Sequence, residues 1–243
     1  MITIPLVEGI PIVEQEPEGM TLKESKKFIF KVYMCLLFQL SIFLTGVVLS
    51  RFYNISSFYI SDLGRGLLGL GLFFTLIPIF VTCCCDSYFT KFPLNYILLI
   101  FFTLGTSYLI STSSSFIKGD TVLLAIGITT IDTILMTLVG LMSFWEIYIS
   151  YLNQFLMVLF ISVISLGIIN IFTMSSYLQL LIAGLGSVLF SGFIIYDTKL
   201  ITDRSYKVYK KEDFIIASIN INLDIINLFL YILQFLSLSN DSN

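Results

Sequence analysis

Two aspartates stand out for the chemistry that their type and setting allow. Asp197 lies in Gly192-Phe-Ile-Ile-Tyr-Asp-Thr198 and Asp224 in Asn222-Leu-Asp-Ile-Ile-Asn-Leu-Phe-Leu230, each near the end of a long apolar run. A carboxylate in hydrocarbon costs about 2.5–3.5 kcal/mol, so a chain that carries two of them turns them toward a protected interior or an aqueous cavity. Two carboxylates within hydrogen-bonding reach do not easily both ionise, and one proton is then shared. Such a pair is a proton-operated latch: protonated, it closes on a short hydrogen bond; deprotonated, it opens by repulsion and offers an anionic site to a hard cation such as Ca²⁺. The alternative is two aspartates that cap helices independently or face water. The chain contains no histidine, which excludes His-dependent zinc sites and Ser-His or Cys-His nucleophile pairs.

The elements that position these residues must be membrane helices. Of 243 residues 57% are hydrophobic and 12% charged, with a mean hydropathy of +0.96, more than a soluble domain keeps dissolved. The expected fold is all-α, a polytopic helical membrane protein of about seven transmembrane helices. A net charge of −3 without a dense basic face sets nucleic acid aside as a partner. Residues 1–22, with four glutamates and three prolines, read as a disordered acidic tail and not as a cleavable signal. Residues 23–238 read as a single transmembrane domain and 239–243 as a short C-terminal tail.

Seven apolar segments approach the ~20 residues needed to cross a bilayer: Phe28–Leu49, Gly66–Thr82, Leu94–Ser111, Thr121–Phe144, Phe155–Met174, Tyr177–Tyr196 and Phe214–Leu236. With a cytosolic N-terminus, ten of the 13 Lys and Arg fall on the cytosolic side and Arg51, Arg65 and Lys118 on the other, the asymmetry that sets membrane orientation. A seventh full span would place Asn243 outside, whereas a re-entrant last segment would return it to the cytosol.

In the last segment Asn220, Asp224, Asn227, Tyr231 and Gln234 recur at steps of four and three, which puts them on one helical face. Lipid offers such a face no hydrogen-bond partner, so it should pack into the bundle, with this helix at the centre. A polar seam that only joins helices is the competing account. In the sixth segment Ala183, Ser187 and Ser191 form a small-residue ridge for close helix packing. Asp197 ends that segment, whereas Asp224 lies about three turns into the next. A simple hairpin would leave the two at different depths.

The stretches Ser191-Gly-Phe-Ile-Ile-Tyr-Asp-Thr198 and Leu223-Asp-Ile-Ile-Asn-Leu-Phe-Leu-Tyr-Ile-Leu233 resemble the C-terminal signature of the transmembrane Bax inhibitor motif family. Lys91-Phe-Pro-Leu-Asn95 resembles its Golgi anti-apoptotic subgroup, found in animals and poxviruses, and Phe28-Ile-Phe-Lys-Val-Tyr33, Gln39, Thr129 and Thr130 fit the same pattern. The resemblance implies seven helices with the last one central, residence in Golgi or endoplasmic reticulum membranes, a Ca²⁺ leak that lowers stored Ca²⁺, and restraint of apoptosis. By motif, Asp197 and Asp224 correspond to the family's paired aspartates, the pH-sensitive latch of the pore, with Ca²⁺ held only in passing. No cofactor and no enzymatic activity are implied; Ca²⁺ is the permeant ion. The partners are the bilayer, Ca²⁺, protons and apoptosis-regulating or Ca²⁺-release-channel proteins. An abundance of Ile, Phe, Tyr and Asn suits an AT-rich genome, and a poxviral homologue is one expectation.

The chain departs from that pattern in places. Relatives carry an acidic residue near Thr106, absent here, while Asp132 sits inside the fourth segment. It either replaces the missing acid in the conduction path, beside Asn220 and Asn227 as pore-lining groups, or pairs with a Thr or a backbone carbonyl. The basic loop Lys199–Lys211 reads as a solvated cytosolic face, or as a contact for anionic lipid headgroups. Cys83, Cys84 and Cys85 at the cytosolic boundary either fill a helix end or form a juxtamembrane palmitoylation site. Two other classes share paired membrane acids. Intramembrane aspartyl proteases carry Gly-x-Gly-Asp where this chain has Ile221-Asn-Leu-Asp224, and proton-coupled transporters commonly show an inverted repeat, which this sequence lacks.

Overall fold

Segments this apolar satisfy their backbone hydrogen bonds internally, and in hydrocarbon the helix is the local way to do so. The computed structural model describes residues 20–53, 56–84, 93–142, 145–203 and 208–241, and all its regular elements there are helices. They are α1 (Leu22–Phe52), α2 (Ser56–Ile60), α3 (Asp62–Cys84), α4 (Leu94–Ser115), α5 (Gly119–Gly140), α6 (Trp145–Thr173), α7 (Ser176–Thr202) and α8 (Phe214–Asp241). Among the described residues, six long helices are apolar over a full bilayer-length window: α1, α4, α5, α6, α7 and α8. The seventh, α3, has 23 residues, about 34 Å of helix.

The ends are written in the sequence. Thr21 caps α1 with Glu24 in a capping box, Glu24 N–H donating to Thr21 Oγ1 at 3.3 Å and Thr21 N–H to Glu24 Oε2 at 3.1 Å, which satisfies two orphan amide donors. Ser175 opens α7, accepting from Leu178 N–H at 3.5 Å.

Two sets of contacts define two faces of the bundle. On the first, Lys211 approaches Glu24 at 3.9 Å and the Lys31 ammonium lies 4.7 Å over the Phe214 ring, joining the starts of α1 and α8. On the second, the Arg51 guanidinium donates to Ile117 O, and Asn240 Nδ2 donates to Thr121 Oγ1 at 3.2 Å, so the end of α8 meets the start of α5. α8 is therefore one continuous 28-residue helix that runs from face to face rather than dipping and returning.

α8 is the central helix. It packs on α7, α1, α5 and α4, and 67% of its apolar window is buried, against 11% for the peripheral α6. Its apolar residues, among them Ile215, Ile221, Leu228, Phe229 and Leu233, form the main core with Phe28, Val32, Leu36 and Val47 of α1 and Phe102 and Ile110 of α4. Phe43 of α1 meets Phe229 edge-on at 5.3 Å. α3 lies against α4, where a Cβ added to Gly105 would come 2.7 Å from Gly71 O, and where Phe74 stacks on Phe101 at 4.8 Å.

α6 and α7 are joined by Met174 and Ser175, and Met174 has φ 48°. Its N–H donates to Asn170 O at 2.9 Å, the left-handed cap that ends many helices and is usually glycine. An L-residue in this conformation costs about 1–2 kcal/mol. Met174 is 81% exposed, so its side chain adds little packing in return. Met174→Gly should therefore raise the stability of the α6–α7 hairpin by about 0.5–1 kcal/mol after its larger unfolded-state entropy is subtracted; a thermal melt of the detergent-purified variant checks this.

Candidate functional site: a carboxyl pair between α7 and α8

The α7–α8 interface is built by small residues on α7 that receive large ones. A Cβ added to Gly186 would fall 2.5 Å from the Tyr231 ring of α8, and that ring stacks on Phe190 at 5.6 Å and 21°. One turn or more toward the first face, Gly140 of α5 lies against Thr198 and Ile195 O of α7, 2.9 Å from a would-be Cβ. This brings α5 onto α7 next to Asp197.

Here the carboxyls of Asp197 and Asp224 come within hydrogen-bonding reach of each other. Asp224 is buried, 9% exposed, and Asp197 is half-buried. The depth problem of a simple hairpin is resolved by the helix ends. α7 continues five residues past Asp197, to Thr202, and α8 begins ten residues before Asp224, at Phe214. At 1.5 Å per residue these are about 8 Å and 15 Å, so α8 starts further out than α7 stops. If both groups were ionised about 4 Å apart, they would repel by about 4 kcal/mol at an effective dielectric constant of 20.

Other polar groups surround the pair. Tyr209, from the α7–α8 connection, folds back over it: its hydroxyl accepts from Asn220 Nδ2 at 3.1 Å and its ring lies 6.0 Å from Phe28. Burial, and secondarily the charge of nearby Asp197, push the Tyr209 hydroxyl well above the usual phenol range. The phenol therefore stays neutral throughout the physiological range. Lys199, buried within α7, pairs with Asp203 at 3.3 Å, and the Tyr33 hydroxyl of α1 lies beside Thr198. Several buried polar atoms have no hydrogen-bond partner among the described residues: Asp224 Oδ2, Asn222 Oδ1, both amide atoms of Gln39, and Ser111 Oγ. Buried polar atoms are rarely left so, and this set from α8, α1 and α4 keeps unused hydrogen-bonding capacity.

The polar stripe of α8 does not line one channel. Asn220 bonds Tyr209, Asn227 Nδ2 donates to Leu223 O of its own helix at 2.8 Å, and Tyr231 stacks on α7. α8 is buried on nearly every side, so Asn220 and Tyr231 meet different neighbours while Asn227 turns back onto its own helix. Asp132 lies apart from the pair. It is half-buried on α5 and accepts from Ser191 Oγ of α7 at 2.7 Å, a partner that is neither the Thr nor the backbone carbonyl expected from the sequence. Ala183, Ser187 and Ser191 form hydroxyl bonds along α7, while the closest helix approaches use Gly186 and Gly192. Cys85, and the side chains of Cys83 and Cys84, lie outside the described residues.

Sequence reasoning passed over Tyr209, Asn222 and the Lys199–Asp203 pair. Ser218 and Asn222, four residues apart and almost fully buried, form a second polar row that could have flagged Asn222. No sequence period marks a loop tyrosine.

Gly140→Val should force α5 and α7 apart beside Asp197, because the new carbons meet backbone and a β-branched side chain rather than a flexible tip. The expected loss is about 1–3 kcal/mol, read as a lowered melting temperature; Gly127→Val, where nothing lies within 4 Å of the added Cβ, is the control.

The family model described as "Inhibitor of apoptosis-promoting Bax1" matches residues 25–241. Among curated proteins, Protein LIFEGUARD 3 of Arabidopsis thaliana is 32% identical over 216 residues, covering 86% of this chain and 83% of the relative. Protein LIFEGUARD 2 of the same plant is 30% identical over 234 residues, 93% of this chain and 91% of the relative. A match of this extent, running through both aspartates, shows that the chain belongs to the Bax inhibitor/lifeguard family of anti-apoptotic membrane proteins.

Proposed function

We propose that this protein is a non-enzymatic, pH-sensitive Ca²⁺ leak channel of Golgi or endoplasmic reticulum membranes, which lowers stored Ca²⁺ and thereby restrains apoptosis. The observation that carries this reading is the Asp197–Asp224 contact inside the bundle, nearer the face where α1 and α8 begin. With ten of 13 basic residues assigned to that face, it is the cytosolic one. The N-terminus is then cytosolic and the end of α8 lumenal.

The mechanism follows from charge. With a proton between them, the two carboxyls attract, α7 and α8 are held together, and Tyr209 covers the pair. When that proton leaves, like charges repel, the helices part, and the pair presents oxygens to Ca²⁺. The unpartnered groups of Gln39, Ser111 and Asn222 would then supply polar stations across α1, α4 and α8. Two carboxylates are fewer than a tight Ca²⁺ site uses, since Ca²⁺ takes six to eight oxygens. This suits an ion in transit.

The sign of the pH effect is fixed by this scheme: leak is low where the pair is protonated and rises as pH rises. In vesicles loaded with Ca²⁺ and a fluorescent indicator, the reconstituted protein should leak several-fold faster at about pH 8 than at about pH 6. Asp197→Asn and Asp224→Asn should each abolish that dependence. Tyr209→Phe should leave the position of the pH transition where it is, since the phenol does not ionise in this range, while losing the bond from Asn220, worth about 0.5–1.5 kcal/mol. Equal leak from wild type and both aspartate variants at all pH values would sink the proposal.

A further inference from the structure

One cavity lies apart from the carboxyl pair. α6 packs on α7 and barely touches α5, which leaves a groove of about 710 Å³ between them. Its floor is α7 at Gly184, Ser187, Val188 and Ser191, with Leu228 and Ile232 of α8 behind. Val188 is 60% exposed and Phe155, on the α6 wall, 59%, so the groove opens sideways to the bilayer. A Cβ added to Gly184 would meet nothing closer than the Phe235 ring at 3.8 Å. The volume falls within the range of small-molecule sites, about 300–1,000 Å³.

One group in these apolar walls is anomalous. Asp132 lies eight residues from the end of α5 at Gly140 and 13 from its start at Gly119, about 12 Å in from the nearer end. Its carboxyl accepts from Ser191 Oγ at 2.7 Å, but that hydroxyl has one proton and also lies 2.9 Å from Ser187 O. A carboxylate at this depth, with half a donor, is expensive. Acyl chains have no donor to offer. A second copy of the chain would offer the neutral amide of Gln154, exposed on α6, rather than a cation. Among the described Lys and Arg, Lys31 is held over the Phe214 ring, Lys199 is buried and paired to Asp203, and the others lie near helix ends or in connections. The outward hydroxyls of Thr130, Ser162 and Ser165 donate to carbonyls of their own helices. What the groove lacks is a cation on an apolar body.

We propose that the α5–α6 groove is a binding site for a lipophilic amine that enters from the bilayer. The protonated amine donates to Asp132 in a charge-assisted bond, and Val188, Phe155 and Ile232 enclose the apolar part. The exclusion of water strengthens the ion pair relative to one at the surface.

The test uses the full chain in phosphatidylcholine nanodiscs and an aryl-alkylamine bearing a photoactivatable diazirine, with an alcohol of the same skeleton as competitor. The amine should label groove residues saturably, with the alcohol competing at least tenfold more weakly. Asp132→Asn should weaken labelling at least tenfold. Val188→Trp, which keeps the carboxylate and fills the floor, should block it, and thermal melts confirm that each variant is folded. Labelling that survives Val188→Trp, that is unchanged in folded Asp132→Asn, that the alcohol displaces equally well, or that spreads without saturation over the lipid-facing helices would overturn the proposal.

Discussion

Two carboxyls that would repel if both were charged are held against each other in the middle of a helical bundle, and much of the surrounding structure serves to keep them there. The restraint is steric before it is electrostatic. Gly186 admits the Tyr231 ring and Gly140 admits Thr198, so α7 is fixed against α8 on one side and α5 on the other. Close-packed interiors give way by discrete rearrangement rather than by smooth deformation. A repulsion of several kcal/mol at one contact is therefore the right size to move a helix pair between two arrangements without unfolding it.

α8 is the element around which this is possible. A helix exposed to lipid would pay for Asn220, Asn222, Asp224 and Asn227, but α8 touches four other helices and presents little surface to the bilayer. Its polar groups divide into two kinds. Asn220 and Asn227 have fixed partners, which makes them structural here. Asn222 Oδ1 and Asp224 Oδ2 do not, and with Gln39 of α1 they mark where the core is under-satisfied. Under-satisfied polar groups in an otherwise dry core are costly, and in the proposed leak they would line the path of the ion.

Much of this architecture was legible in the sequence. Length and hydropathy gave seven long helices, and the polar residues of the last segment required a central position because hydrocarbon leaves them nowhere else. The meeting of Asp197 and Asp224 was not legible, because it depends on where two helices end. α7 runs on through Tyr196-Asp-Thr-Lys199, where charge suggests a boundary, since Lys199 is buried and finds Asp203 one turn later. The stripe on α8 was visible, but a period shows which residues share a face and not which neighbour each will meet. Asp132 was visible as an anomaly; that Ser191 would hold it required knowing that α5 lies against α7. Tyr209 carried no pattern at all, because a loop side chain that folds inward does so for tertiary reasons only.

If α7 and α8 part when the carboxyl pair loses its proton, their neighbouring ends must move apart. Spin labels at Thr202 and Glu212, in a chain freed of its four cysteines, report the separation of the two helix ends in reconstituted membranes. This separation should grow as pH rises and stay at its low-pH value across the same range in Asp197→Asn. A separation that is insensitive to pH in the native pair, or that changes equally in the Asn variant, would contradict the proposed parting.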